Sequence, residues 1–312
     1  MNKINAMIKH LLIACLICIV IGGGVMIAGV ALGGTLSDAS ISVGDWKLLS
    51  PWPFHGSGSY QVEDADTADA WTVTADDVYS VPADHIKNLN IVLRKCELVI
   101  GASEDDQIYV SVDQLGQKYC KVEPDNDTLE IIDTRNDKQM TKQTTIRLRM
   151  DIPEDYRFHK VKLDIGAGDI QVEELLTKKM NLAGGAGAFR AQSLTVSDAF
   201  DAELGVGDFY IEQAVLGDTK IQCGVGAMEI ASCELTGDAL VRGGVGDVTI
   251  GLDAEERDYN YHLASGLGQL TVFGKNYHAL NKAKEQDNDA DYTITLDCGA
   301  GAMCIKQAKT TR

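Results

Sequence analysis

Seven copies of a short motif recur through the second half of the chain, and they constrain its fold more than any other feature. The copies are GAGDIQV at 166, GAGAFRA at 185, GVGDFYI at 205, GVGAMEI at 224, GVGDVTI at 244, GLGQLTV at 266 and GAGAMCI at 299. Successive starts are 19, 20, 19, 20, 22 and 33 residues apart. Ile170, Phe189, Phe209, Met228, Val248, Leu270 and Met303 share one apolar column, and Val172, Ala191, Ile211, Ile230, Ile250, Val272 and Ile305 share another. Between them sit Gln171, Arg190, Tyr210, Glu229, Thr249, Thr271 and Cys304. Inside, outside, inside is the pattern of a strand with one buried face. Three residues before each first glycine a further position is mostly apolar, from Leu163 to Leu296, so a short strand flanks each side of the glycine pair.

One such unit cannot bury its own apolar face, so neighbouring units must stack. The pattern predicts an all-β, single-stranded-type β-solenoid with rungs of 19–20 residues. The glycine pairs read as its corners: Gly166 with Gly168, Gly185 with Gly187, Gly205 with Gly207, Gly224 with Gly226, Gly244 with Gly246, Gly266 with Gly268 and Gly299 with Gly301. Such a corner needs unusual backbone angles or room for the adjacent coil. The next column runs Asp169, Ala188, Asp208, Ala227, Asp247, Gln269, Ala302. Aspartates stacked ~4.8 Å apart would repel, and an intervening alanine doubles the separation. Asp169, Asp208 and Asp247 form a ridge that could collect a cation weakly, although a solvated turn is the simpler reading.

Upstream, alternating runs at 89–93, 98–100, 108–112, 129–132 and 145–152 predict wider, less regular rungs of the same stack. The polar stretch 275–291 reads as a loop, and the rung at Ile305 reads as an unpaired edge, capped or free to pair with another chain.

The first ten residues carry Lys3 and Lys9 and no acid, and an uncharged apolar run follows from Leu11 to Leu32. At ~1.5 Å per residue that run reaches about 33 Å, enough to cross a bilayer. Lysine on the short leading side predicts a cytoplasmic N-terminus and an extracellular remainder. The rival reading is a cleaved signal peptide ending at Gly29-Val30-Ala31, but the run exceeds the ~7–15 residues usual there. The segmentation is therefore 1–10 cytoplasmic, 11–34 transmembrane, 35–85 a juxtamembrane stalk, 86–308 the solenoid and 309–312 a tail. All 46 acids follow the run and 26 of the 28 basic residues do, so the ectodomain carries 26 − 46 = −20. That charge repels phosphates and excludes a nucleic-acid partner.

No catalytic constellation emerges. His10, His55, His85, His159, His262 and His278 are scattered without metal-ligand spacing, and the cysteines match no zinc motif. The glycine corners lack the Lys-Ser/Thr of a phosphate loop, and no G-x-S-x-G occurs. Cys223 and Cys298 fall on the inward side before a glycine pair, whereas Cys304 falls in an outward column as an accessible thiol or a disulfide partner. The chain calls for no cofactor, metal or catalytic residue.

The run RMDIPEDYRFHKVKLDIGAGDI at 149–170, followed by the glycine-pair rungs, resembles the DUF4097 family of bacterial envelope proteins, which carries an adhesin label. The resemblance covers residues 86–308, about seven tenths of the chain. It implies a β-solenoid ectodomain, often membrane-tethered, found in Gram-positive bacteria and sometimes near envelope-stress genes, and brings no catalytic residues with it. The expected function is a non-catalytic extracytoplasmic interaction protein whose partner is an envelope protein or surface polymer. The alternatives are an accessory sensor in an envelope-stress response and, third, a carbohydrate-active β-helix enzyme. The sequence sets no oligomeric state.

Overall fold

Alternating apolar residues and paired glycines build one large sheet. The computed structural model describes residues 78–136, 139, 145–278 and 283–308. The predicted anchor, the stalk as far as residue 77 and the tail from 309 lie outside the described residues. Among the described residues no helix is long and apolar enough to cross a membrane. A short α-helix, α1 (Gln114–Tyr119), is capped by Asp113, whose carboxylate accepts the Gly116 N–H at 2.7 Å.

The strands are β1 (Val78–Pro82), β2 (Asn88–Ser103), β3 (Gln107–Val112), β4 (Cys120–Asp125), β5 (Thr128–Asp133), β6 (Ile146–Pro153), β7 (Arg157–Val206), β8 (Phe209–Val225), β9 (Met228–Leu235), β10 (Ala239–Leu252), β11 (Asn260–Ser265), β12 (Gln269–Val272), β13 (Lys275–His278), β14 (Lys284–Gln286) and β15 (Thr293–Gln307). The 50 residues of β7 run through successive glycine corners and so make up more than two rungs. From β2 to β12 the rungs pair in parallel and in register: Phe189 beside Phe209, Phe209 beside Met228, Met228 beside Val248, Val248 beside Met303. In one rung the buried positions fall in three short runs, Phe200 and Ala202, then Phe209 and Ile211, then Ala214 and Leu216. A corner separates each run from the next, which is the arrangement of a solenoid-like coil. Inside, Phe189 and Phe209 stack with centroids 5.0 Å apart, continuing a column of large apolar side chains.

The order of rungs departs from the order of the chain at both ends. β15 lies between β10 and the pair β11 and β12: Ile250 sits beside Ile305, and Ile305 beside Val272. The Ile305 rung is therefore interior, not the open edge that sequence order implies. The stretch read as a loop contributes β13 and β14, which fold back antiparallel onto β12 and β11 and close that end. At the other end β5 and β6 together form the rung outside β2, and β4 and β3 cover them antiparallel, with β1 on β3. Among the described residues the sheet already includes Val78–Pro82, inside the segment assigned to the stalk. Among the described residues the edges of the sheet are the short antiparallel strands β1, β4, β13 and β14, and short edge strands offer little ladder to another chain.

Candidate functional site

The glycine corner is the most regular surface feature. A Cβ on Gly205 would lie 2.1 Å from the carbonyl oxygen of Gly185, one on Gly224 2.2 Å from Gly205 O, and one on Gly244 2.2 Å from Gly224 O. Each corner thus rests directly on the carbonyl of its neighbour, and only a residue without a side chain fits. The second glycine adds a conformational demand. Gly207 and Gly226 both have φ +143°, and each interrupts the strand: β8 begins only at Phe209, and β9 only at Met228. At Gly187, Gly246 and Gly301 the φ is also positive, yet the corner stays within a continuous strand. The corners at Gly205–Gly207, Gly224–Gly226 and Gly266–Gly268 are therefore breaks between strands, whereas the other four are bends inside one. The same contacts record the rung order, since Gly226 rests on Gly207 O, Gly246 on Gly226 O, Gly301 on Gly246 O and Gly268 on Gly301 O.

Placing β15 beside β10 changes the column after the second glycine. In space it reads Asp169, Ala188, Asp208, Ala227, Asp247, Ala302, Gln269, an unbroken alternation. The alternation has a bonding cause beyond charge. Asp208 Oδ1 accepts the Ala227 N–H at 3.3 Å, Asp247 Oδ1 accepts the Ala302 N–H at 3.2 Å, and Asp169 accepts from the Ala188 amide. Each aspartate ties its rung to the next, where alanine leaves room for the carboxylate.

The three aspartates do not form one cation site. They stand two rungs apart, about 9.6 Å at ~4.8 Å per rung, too far for one cation with ligands at ~2.3–2.6 Å. Asp169 also faces the Arg190 guanidinium at 3.6 Å. Burial raises the Asp169 carboxyl above its ordinary value despite the pull of Arg190, with Glu97 adding to the rise. Burial likewise lowers Arg190, against the attraction of Asp169 and Asp208. Among the described residues no group of three or more His, Cys, Asp or Glu could hold a metal ion.

A second aspartate ladder, missed in the sequence, runs along another corner. Asp218 Oδ1 accepts the Asp238 N–H at 3.2 Å, and Asp238 Oδ1 accepts the Thr293 N–H at 2.8 Å. The signal was present as Gly217-Asp218 and Gly237-Asp238, 20 residues apart.

Chemistry is sparse elsewhere. All six described thiols are free. Cys298 is buried, Cys223 is half-buried with its Sγ 3.4 Å from Met228 Sδ, and Cys304 is half-buried in its outward column. Burial pushes Cys120 up to about 12 and Cys223 to about 11, which keeps both protonated and poor nucleophiles at neutral pH. An apolar cavity of about 30 Å³ lies under the corner between Ile165, Leu182, Gly184, Phe189, Leu204 and Phe209. It is far below the ~300 Å³ at which small-molecule sites begin.

Fold and surface together define an all-β, repeat-built protein whose regular features are structural ladders. The family described as Toastrack DUF4097 matches residues 86–303, and the chain belongs to that family. No curated protein matches it. Similar solved structures include a candidate cell adhesion protein from Clostridium sporogenes, at 15% identity and TM-score 0.34, covering 74% of this chain and 97% of that one. A candidate adhesin from Bacteroides fragilis is similar at 11% identity and TM-score 0.33, covering 73% and 95%. A candidate lipid binding protein from Parabacteroides distasonis is similar at 9% identity and TM-score 0.28, also covering 73% and 95%.

Proposed function

We propose that this chain is a non-catalytic interaction protein of the bacterial envelope, held by its N-terminal apolar run and presenting the solenoid-like sheet outside the cell. One observation carries the reading: among the described residues the parallel rungs are covered at both ends by short antiparallel strands, so the surface that repeats rung after rung is the lateral one. That surface is polar and mixed, with Arg190, Tyr210, Glu229 and Thr249 in one outward column. A rigid lateral face of this kind suits protein or polymer contact, because repeats that stack only on neighbours build extended binding surfaces.

The test is crosslinking of the tagged full-length chain in intact cells. Capture of a discrete membrane protein makes the chain an accessory of that protein, as a sensor would be. Capture of wall polymer makes it an adhesin in the literal sense. Recovery of the chain alone under conditions that capture a control pair refutes an interaction role. Protease applied to intact cells after wall removal should cut a C-terminal tag, and full protection would overturn the outside placement.

A further inference from the structure

Among the described residues six large hydrophobics are exposed, and four of them lie on one line: Val206, Val225, Val245 and Leu267, at 51%, 50%, 56% and 96%. All four are the middle residue of a glycine pair. Val206 sits beside Val225, Val225 beside Val245, and Val245 beside Ala300, which separates it from Leu267. The glycines on either side carry no side chains, so the aliphatic groups stand as a ridge between two shallow troughs. Packing between rungs does not call for them: the stacking contact is made by the glycines. Isolated exposed aliphatics are ordinary, but a registered row of them on a chain this acidic is not.

Carboxylates border the ridge. Asp208 and Asp247 are exposed two residues beyond Val206 and Val245, and Glu203 is exposed on the opposite flank. Arg190 pairs with Asp169 at 3.6 Å and is also drawn by Asp208, while Arg242, in the flank column of Glu203, faces Asp297 at 4.0 Å. We infer that this ridge docks an amphipathic basic helix of a partner protein, an inference that rests on the interaction reading above. The spacing selects a helix. Valines recur every ~4.8 Å, close to the ~5.4 Å pitch that brings one apolar residue per turn to the same side. Asp208 and Asp247 recur at about 9.6 Å, close to two helical turns, so lysines two turns apart meet them. An extended strand repeats its side chains every ~6.7 Å and falls out of step. From Val206 to Leu267 the ridge spans four rung steps, about 19 Å, or roughly 13 helical residues. An anionic lipid surface and a second copy of this chain both carry the wrong charge for the acidic border.

The probe is a fluorescein-labelled 14-residue Leu/Lys peptide with leucines at i, i+3, i+4 and i+7, titrated into the full chain in neutral-detergent micelles. Saturable binding is expected, weakened tenfold or more by Val225→Asn and by Asp208→Asn combined with Asp247→Asn. Should Val225→Asn lower the unfolding temperature, Leu267→Asn at the most exposed position gives the same readout. Equal binding of a scrambled peptide without an apolar face, or undiminished binding to the ridge variants, overturns the proposal. Loss of peptide binding is separable from loss of the interaction reading: capture of a partner in cells by the ridge variants, at wild-type yield, refutes the ridge and leaves that reading standing.

Discussion

Asp247 and Ala302 are 55 residues apart in sequence and adjacent in the stack, and the carboxylate of the first accepts the backbone N–H of the second at 3.2 Å. The bond joins two rungs that the chain does not visit consecutively, and it explains why an aspartate rung is followed in space by an alanine rung. Asp247→Ala should cost about 0.5–1.5 kcal/mol, the net value of a typical hydrogen bond, because exposure at this site takes away the extra strength of a charged acceptor. Ala302→Asp should cost about 1 kcal/mol through two carboxylates ~4.8 Å apart at a partly exposed site. The exchanged double variant should recover part of both losses. Chemical denaturation of the four proteins as a double-mutant cycle checks this, and strictly additive losses would show that the two positions are not coupled.

Two glycines in the same region should respond oppositely to alanine. Gly207 has φ +143°, and a Cβ there would fall 1.7 Å from Gly187 O, so Gly207→Ala forces the rungs apart and should cost about 3 kcal/mol or more. Gly184 lines the small apolar cavity under the corner, where a Cβ would meet nothing nearer than Leu204 Cδ2 at 3.8 Å. Gly184→Ala should be neutral or stabilise by about 0.5–1 kcal/mol through a less flexible unfolded chain. Thermal unfolding of both variants decides it, and a destabilised Gly184→Ala would count against the cavity.

How far the sequence announces the fold depends on whether each residue stacks on its sequence neighbour. The rungs from Gly166 to Gly244 do, so glycine clashes and apolar columns repeat there in plain view. β2 lies in the same stack but carries Arg94, Lys95 and Cys96 where the next rung has Gly166, Ala167 and Gly168. Its outer neighbour is split between β5 and β6, and among the described residues the side chains of Asp133 and Arg135 meet the Arg94 N–H and the Lys95 carbonyl there, where a glycine corner would otherwise lie. The interior place of β15 was hidden for a different reason. Its motif fits on either side of β11 and β12, and the choice is made by long-range pairing. The Asp–Ala alternation, broken in chain order at Gln269 and Ala302, was the trace of it.

The buried pair of Asp133 and Arg135 predicts an acid-sensitive N-terminal end. Their side chains are 1% and 0% exposed, and Arg135 also donates to Lys95 O at 2.9 Å. Burial by itself would raise the Asp133 carboxyl, but hydrogen bonds from Arg135 and from the Arg94 amide prevail and hold it below its ordinary value. A depressed value means the stabilisation is complete above the unfolded-chain value near ~3.9 and is lost as pH falls through the lower folded value. Asp133→Asn leaves a buried guanidinium without its counter-charge and should cost about 3–5 kcal/mol at pH 7. The difference from wild type should shrink at acid pH, and an equal difference at pH 7 and well below pH 4 would exclude an ionic origin.

The strand register is tested by neighbours of opposite orientation. Val248 is 3% exposed and points between its buried counterparts Met228 and Met303, whereas Thr249 lies in the outward column. Val248→Asp places a charge in the core and should abolish cooperative unfolding of the sheet, while Thr249→Asp should cost no more than about 1 kcal/mol beside Glu229. Equal effects from the two would refute the register.

β15 should act as the keystone of the C-terminal end. It is the strand through which β11 and β12 join the stack, pairing with β10 on one side and with both of them on the other. Among the described residues no pairing of β10 with β11 or β12 takes its place. Stopping the chain after Tyr292 therefore uncovers β10 and leaves β11 to β14 strand-paired only with one another, too small a set to be stable alone. Hydrogen exchange should show residues 260–278 losing protection by orders of magnitude, while β2, β7 and β8, each paired on both sides by other strands, keep most of theirs. If β11 and β12 stay protected in the shortened chain, they have moved into the place of β15 against β10. The Gly266 corner would then stack on Gly244 in chain order, and the observed order would be a choice that β15 makes rather than one built into the rungs.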